Sequence, residues 1–277
     1  MQAFRDINIL PSHNKRTAVV AWIVDPSIKT ASFYIYRKYD GGAEWELLNE
    51  TPVYGNTYAD KDFFIKNKEQ VPSYKVLALT DDGKEFVSPE VAVFSKTGRK
   101  AYGIAQNIIR AKYLQARHDG IPVLYYPAIT NGAMSSSLDD ITGQRLEAYC
   151  TSDSGTDSDY GTYYKGGYYR PFITFVRLIG EHVQREDRLD DGIYDTSLYN
   201  AEFLSFPPVR AGDLVVDVAT DRRWFVGSSI KTEAVQSVIP VGYTATLSLQ
   251  EHNHPCYAVP IPDNYYAMLR RLTWPIK

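Results

Sequence analysis

The stretch SYKVLALTDDGKEF (Ser73–Phe86) decides how the first third of the chain folds. Ser73 to Thr80 is a β-prone run, Asp81-Asp82-Gly83 has the composition of a hairpin turn, and Glu85 opens a return strand towards Phe94. The same grammar repeats on the N-terminal side. Thr17 to Ile23 (TAVVAWI) is a compact β-prone run closed by Asp25-Pro26. Ala31 to Lys38 (ASFYIYRK) alternates, which puts Phe33, Ile35 and Arg37 on one face and Tyr34 and Tyr36 on the other. Asp40-Gly41-Gly42 turns the chain into Glu44 to Leu48, and Tyr58-Ala59-Asp60 follows. Short period-2 runs separated by Gly and Asp turns predict an antiparallel β-sandwich over residues 17–94.

The bulk composition is compatible with such a core. Of 277 residues, 44% are hydrophobic and 23% charged, which is the range of folded globular chains rather than disordered ones. The net charge of −3 gives no global reason to bind nucleic acid. No apolar run approaches the roughly 20 residues of a membrane span, so no membrane partner is expected. The opening MQAFRDINILPSHNKR lacks the apolar segment of a secretory signal. Two cysteines, Cys150 and Cys256, do not make a disulfide framework and fit a reducing compartment such as a cytoplasm. Tyrosine, at 22 residues, is the unusual feature; its ring buries apolar area while its hydroxyl stays wet, which suits interfaces.

Trp22 in an early strand, TYAD at 57–60 and Tyr74 at the head of YKVLAL make the N-terminal stretch resemble a fibronectin type III or Ig-like module. The resemblance implies a binding or spacing role. Lys96 to Lys100 (KTGRK) marks a polar boundary, giving an expected sandwich over 1–96 and a second domain over 97–277. Beyond it Tyr102, Ala105, Ile109, Tyr113 and Ala116 recur at helical steps and predict a helix over 99–118, ended by Asp119-Gly120 before Pro122. The remaining positions, including Arg110, Lys112 and Arg117, read as a solvated face. Ile121 to Tyr126 and Phe172 to Leu178 read as strands, and the polar span 135–159 as loop. Residues 181–202, with seven acidic side chains, read as a polar connection. A second β-block follows at 214–218, 223–226, 235–239 and 243–250, suggesting a small barrel or sandwich. The expected fold class is therefore mainly β with one principal helix (α+β).

Chemistry-bearing patterns are sparse. His252, His254 and Cys256 are all metal-competent, and on an extended strand alternate residues would converge; a polar turn after a strand is the competing reading, since no fourth ligand is spaced nearby. Asp139-Asp140, Asp187 with Asp190-Asp191, and Asp195 sit in polar surroundings that read as solvated loops rather than a shaped acid pair. Nothing around Cys150 activates a thiolate. No phosphate-binding, hydrolase-elbow or zinc-protease motif occurs. The sequence predicts no enzyme and no cofactor.

The remaining element is DSDYGTYYKGGYYRP (Asp157–Pro171), in which Tyr160, Tyr163, Tyr164, Tyr168 and Tyr169 surround Gly161, Gly166 and Gly167. The glycines permit positive-φ reversals that return a loop into the strand at Phe172, and the tyrosines offer broad amphipathic contact. On composition alone, a hairpin packed on its own domain is the favoured reading. The order Tyr160-Gly161-Thr162, Gly166-Gly167-Tyr168-Tyr169, Pro171 resembles the Y-G-T-G-F-x-G-G-Y-Y-x-P element of tailed-bacteriophage neck proteins, which join head to tail. The surrounding parts come in the matching order: Ile108-Ile109-Arg110 and Tyr113-Leu114, Gly120-Ile121-Pro122, and Asp140-Ile141-Thr142-Gly143 before the element; Ala211-Gly212-Asp213-Leu214, Arg222-Arg223-Trp224-Phe225-Val226 and Tyr257-Ala258-Val259-Pro260 after it. The resemblance covers residues 100–262.

It implies a virion structural protein forming a homo-oligomeric ring or collar at the neck, made in the host cytoplasm, with portal–adaptor and tail proteins as neighbours. It also implies passing contact with DNA in the lumen, for which the acidic 181–202 segment is a candidate lining, and a subunit interface carried by the five tyrosines. The relatives carry paired cysteines before this element; here Asp159 stands at one of those positions and Tyr163 at a glycine position, which implies that a metal knuckle has been replaced by packing. A carbohydrate-binding or adhesive module, using Trp45 and Trp224 to stack on sugars, is the alternative, and a metal-dependent hydrolase built on 252–256 a third.

Overall fold

The computed structural model describes residues 3–269, apart from 15, 25–29, 40–41, 43, 54–55, 64–70, 81, 95–97, 131–157, 163, 165, 170, 190–191, 264 and 267–268. The fold is mainly β with one α-helix among the described residues. It divides into two compact units, Met1–Ala111 with Glu233–Val241, and Lys112–Thr232 with Gly242–Lys277. The first unit thus continues past residue 96 and takes in a later segment of the chain.

In the first unit two sheets close on one core. Strands β1 (Phe4–Pro11), β2 (Ala18–Val24) and β5 (Thr57–Asp60) form a three-stranded antiparallel sheet in the order β1-β2-β5. Strands β3 (Thr30–Tyr39), β4 (Glu46–Leu47), β6 (Pro72–Thr80) and β7 (Glu85–Val87) form the other in the order β4-β3-β6-β7, with β8 (Val91–Ala92) also on β6. Alternation decides which residues enter: Phe33, Ile35 and Arg37 are buried, while Tyr34 and Tyr36 are only half-buried. Trp22 packs on Phe33 with ring centroids 5.0 Å apart. Sequence reading passed over β1, whose Phe4, Ile7 and Ile9 are buried against Ala18, Val20 and Trp22.

A charged fastener lies inside this sandwich. The Arg37 guanidinium donates to both oxygens of Asp60, at 3.0 and 2.8 Å, and to the carbonyl of Asp62. Tyr74 donates its hydroxyl to Asp60 at 2.7 Å, and Glu46 takes the outer side of the guanidinium at 2.8 Å. Although burial opposes the charge on Arg37, these carboxylates hold it protonated, and the same burial beside Asp60 pushes the Tyr74 phenol up.

Helix α1 (Gly98–Asp119) buries Ala101, Tyr102, Ala105, Ile109, Tyr113 and Ala116 along one side. Ala101, Ala105 and Ile109 pack with Ile239 and Val241, which belong to the same unit. The helix runs straight into β9 (Ile121–Tyr126) through Gly120. A Cβ there would lie 2.4 Å from the Ala116 carbonyl oxygen, so only glycine allows so tight a junction.

The second unit is built on a closed six-stranded barrel. It consists of β9, β10 (Phe172–Leu189), β11 (Gly192–Leu204), β12 (Leu214–Asp217), β13 (Arg222–Val235) and β14 (Ile239–Leu249), in the order β10-β11-β14-β13-β12-β9. Closure removes the sheet's edges. One face of the strands supplies a core of Val123, Tyr125, Val176, Phe203, Val215, Trp224 and Leu247. On β9 and β12 the other face is covered as well: Leu124, Tyr126, Leu214 and Val216 pack with Tyr160, Cys256, Val259 and Tyr265. Two-sided burial explains why these strands read as continuous apolar runs rather than alternating ones.

Two expectations are corrected. Residues 181–202 are not a connection: β10 and β11 pair from Val176↔Phe203 out to Leu189↔Gly192. Only the base of β10 meets β9, at residues 172–176, and only 198–204 of β11 meet β14, so the outer part is a two-stranded ribbon. Its sequence is rich in acidic residues and lacks the apolar alternation that marks a strand. Residues 235–239 are likewise not a strand of their own. The chain reverses there between β13 and β14, with Gln236 and Ser237 at φ 53° and 57° and the Val238 amide donating to the Val235 carbonyl.

Candidate functional site

The tyrosine–glycine loop is wound around Asp159. Its buried carboxylate accepts the Gly161 amide at 3.0 Å, and its carbonyl accepts the Thr162 amide at 2.8 Å and hydroxyl at 2.9 Å. Tyr160, in the left-handed region at φ 46°, drives its ring into the cluster formed by Leu124, Tyr126, Leu214, Val216 and Cys256. Gly161, Gly166 and Gly167 all have positive φ, of 103°, 81° and 64°. Gly167 meets a second demand: a Cβ would sit 2.7 Å from the Tyr160 ring and 2.8 Å from the Asp159 carbonyl. The returning strand is zipped to residues 127–129 by Tyr169 N–H to the Pro127 carbonyl at 2.9 Å and Ile129 N–H to the Gly167 carbonyl at 3.0 Å.

The tyrosines therefore divide. Tyr160 is 8% exposed and belongs to its own protomer's core. Tyr168 sits edge-on to Tyr126 with centroids 6.2 Å apart, half-buried. Tyr164 and Tyr169 are half-buried too, and burial pushes the Tyr169 phenol up. Tyr163, Asp139-Asp140, Asp190-Asp191 and Cys150 lie outside the described residues. Asp187 and Asp195 fall on the outer ribbon, paired in register with Tyr194 and Glu186 respectively. Of the described tyrosines of the loop, Tyr164, Tyr168 and Tyr169 thus keep partial exposure.

His252, His254 and Cys256 are not brought together. The segment is a turn leading into one 3-10 turn, Pro255–Ala258, so the convergence expected of an extended strand does not arise. His252 lies on the Tyr257 ring at 4.5 Å, and His254 accepts the Cys256 amide through Nδ1 at 3.1 Å. Cys256 points into the core, where burial pushes its thiol up to about 12. Among the described residues no three His, Cys, Asp or Glu side chains are placed to hold a metal ion.

Two buried charged residues, which sequence reading quoted only within motifs, fasten the elements around the loop. Asp213 is fully buried; it accepts the Tyr125 hydroxyl, the Ala128 amide at 2.8 Å and the Arg210 amide at 2.9 Å. Burial raises the pKa of its carboxyl despite those donors. Arg223 donates to the carbonyls of Cys256 and, at 3.1 Å, Val259, and its guanidinium lies 4.9 Å from the Tyr257 ring centroid. Tyr126 adds a hydrogen bond to the Pro260 carbonyl at 2.8 Å. A charged residue within an apolar run, as in AGDLVV and RRWFV, is the signal that marks such fasteners. The two tryptophans assigned to sugar stacking are also accounted for. Trp224 is fully buried, which corrects the expectation that it is exposed, and Trp45 is flanked by Lys38 and Lys75 at 4.9 and 4.4 Å.

No family model matches the chain, and no curated protein does either. Among solved structures, one described as "Myokine structure" is similar at 20% identity over 35% of this chain and 98% of its own, with a TM-score of 0.28. Titin kinase with its flanking domains is similar at 8% identity over 89% of this chain and 37% of its own, with a TM-score of 0.26. The twitchin kinase region from C. elegans follows at 10% identity, 89% and 39%, with a TM-score of 0.25. The chain spans under two-fifths of the length of the two kinase-region structures.

Proposed function

We propose that this chain is a structural protein of a tailed-bacteriophage virion, forming a homo-oligomeric ring or collar at the head-to-tail junction. The observation that supports this reading is where the ordered motifs fall. Gly120, the Asp159–Tyr169 loop, Gly212-Asp213, Arg223-Trp224 and the 257–260 segment all serve as joints and fasteners around β9 and β12. Portal–adaptor and tail proteins are the proposed neighbours, with DNA passing through the lumen. The N-terminal sandwich, fibronectin type III-like in this reading, is an outward spacer. A closed ring needs a heterologous contact, one patch on a different patch of the next copy. Tyr164, Tyr168 and Tyr169 are the residues proposed for it.

Electron microscopy and mass measurement of the purified protein, alone and with neck partners, test this. A ring of defined symmetry is expected. A strict monomer under every condition ends the reading. Nothing at Trp45 or Trp224 favours the sugar-binding alternative.

A further inference from the structure

An antiparallel sheet that packs on a core with one face normally turns a polar face to water. In the β4-β3-β6-β7 sheet the inward side chains Phe33, Ile35, Val76 and Ala78 are buried, as expected, but the outward face is apolar too. Residues directly opposite on antiparallel strands share a face. The register Tyr34↔Leu77↔Val87 therefore lays one row across β3, β6 and β7, and Leu47↔Tyr36↔Lys75 lays a second across β4, β3 and β6. Val87 is 60% exposed and Leu47 44%, while Tyr34, Tyr36 and Leu77 are half-buried. A contiguous apolar patch of this kind marks a contact surface.

The charges of this face are sorted along the strands. At one end Lys75 Nζ lies 4.4 Å from the Trp45 ring centroid and 5.2 Å from that of Tyr36, and Lys38 Nζ lies 4.9 Å from Trp45, so the rings hold both ammonium groups over the face. Lys38 has Glu90 at 3.5 Å, whereas among the described residues no carboxylate lies within 4 Å of Lys75. At the other end Glu85 stands opposite Leu79, exposed and also without an ion-pair partner among the described residues. Beyond it Asp82 and Lys84 neutralise each other at 2.6 Å. The row between the two ends, Tyr34, Leu77 and Val87, is uncharged.

Such a face fits a copy of itself in one orientation. Two sheets can meet face to face about a two-fold axis lying along the strands, which sets one Lys75 end on the other. They can also meet about an axis lying across the strands, which sets each Lys75 end on a Glu85 end and the uncharged row on itself. We propose that this sheet docks on the same face of a second copy of the chain about a two-fold axis across the strands. Tyr34, Leu77 and Val87 form the apolar centre, and Lys75 of each copy meets the partner's Glu85. The contact is isologous, so each ion pair occurs twice. It neither closes nor needs a ring, and so stands apart from the ring reading.

The test uses the full chain carrying Cys150→Ser and Val87→Cys; the remaining cysteine, Cys256, is buried. Position 87 meets itself across the axis, so a short bismaleimide is expected to join two copies there. A face of four strands is at the small end of specific interfaces, and the yield of covalent dimer therefore rises with protein concentration. The same reagent on Ile23→Cys, a position 52% exposed on the other sheet, is expected to give none. Added to the position-87 reporter, Lys75→Glu or Glu85→Lys alone raises the dissociation constant read from that concentration dependence by more than about tenfold, because each turns two attractions into repulsions. Mixing the two variants restores linkage, since opposite charges then meet again at both ends. Circular dichroism melting of each variant separates weakened pairing from unfolding, and Glu85→Lys alters only an exposed side chain. Absence of the covalent dimer at every concentration, equal linkage at positions 23 and 87, or two variants that link no better mixed than apart overturns the proposal. A ring seen by electron microscopy without this linkage leaves the ring reading standing while this contact falls.

Discussion

The sandwich and the barrel each bury a carboxylate, and they keep it by opposite means. Asp60 in the sandwich faces a guanidinium, that of Arg37, at 2.8 Å, with the Tyr74 hydroxyl in support. Among the described residues, Asp213 in the barrel has only neutral donors within hydrogen-bonding distance, namely the Tyr125 hydroxyl and the amides of Ala128 and Arg210. The first is an ion pair whose members justify each other's burial. The second is an acid pressed towards its protonated form by its surroundings. The contrast shows that the same residue type can serve as a fixed charge in one unit and as a titratable latch in the other.

The sharpest way to break this comparison is to remove the carboxylates in turn. Asp60→Ala leaves the Arg37 guanidinium buried, with Glu46 only on its outer side, and the Tyr74 hydroxyl without its acceptor. A loss of about 3–5 kcal/mol is expected, read as a lower denaturation midpoint for the sandwich. Asp213→Ala removes no ion pair but orphans two amides and a phenol; each buried donor left unsatisfied costs about 1–3 kcal/mol, and a loss of about 3 kcal/mol is expected. If Asp213→Ala proves the more damaging of the two, the distinction between an ion pair and a carboxyl held by neutral donors is wrong.

Much of this frame was legible in the sequence, for identifiable reasons. The alternation ASFYIYRK places Arg37 inward, and only a buried partner permits that, so the sandwich's fastener was half visible; its other half, Asp60, was quoted only as part of TYAD. IPVLYY and LVV were read as strands because two-sided burial makes them wholly apolar. The outer ribbon escaped because its sequence carries no apolar alternation, although Asp191-Gly192 is the kind of pair that opens a tight hairpin. At 252–256 the polar turn, rather than the extended strand a metal cluster would need, is what forms, because Pro255 starts a 3-10 turn. In the loop, the glycines were readable from chirality alone. That Tyr160 turns inward was not, because it depends on the room left by Gly167.

That last dependence is testable. Gly167→Ala combines an unfavourable φ with a clash against Tyr160 and the Asp159 carbonyl, and is expected to cost about 2–3 kcal/mol. Gly166→Ala meets only ordinary contact with Ile129 and loses about 1 kcal/mol, the conformational term alone. Thermal melts of the two variants, with near-ultraviolet circular dichroism to follow the tyrosines, separate them. Equal losses would mean that Tyr160 does not depend on the space beside Gly167.

The smallest effect sharpens the comparison most, because it sets the two units on opposite pH slopes. His13 in the sandwich is pushed down from 6.5 to about 4 by burial. Above pH 6.5 it is neutral whether folded or not. As the pH falls from 6.5 towards 4 the unfolded chain takes up a proton that the folded chain refuses, so the sandwich loses stability, by on the order of 2 kcal/mol given the ring's partial exposure. Asp213 works the other way. Its folded pKa lies above the ordinary 3.8, so its contribution is full below that value and declines as the pH rises through the raised one. Acidification from neutrality therefore weakens the sandwich while relieving the barrel. The difference in stability between wild type and His13→Gln, followed from pH 7 to 4, isolates the first slope; the difference from Asp213→Asn isolates the second. Slopes of the same sign would show that burial does not disfavour the charged form of both groups, and the contrast between the units would have to rest on Arg37 alone.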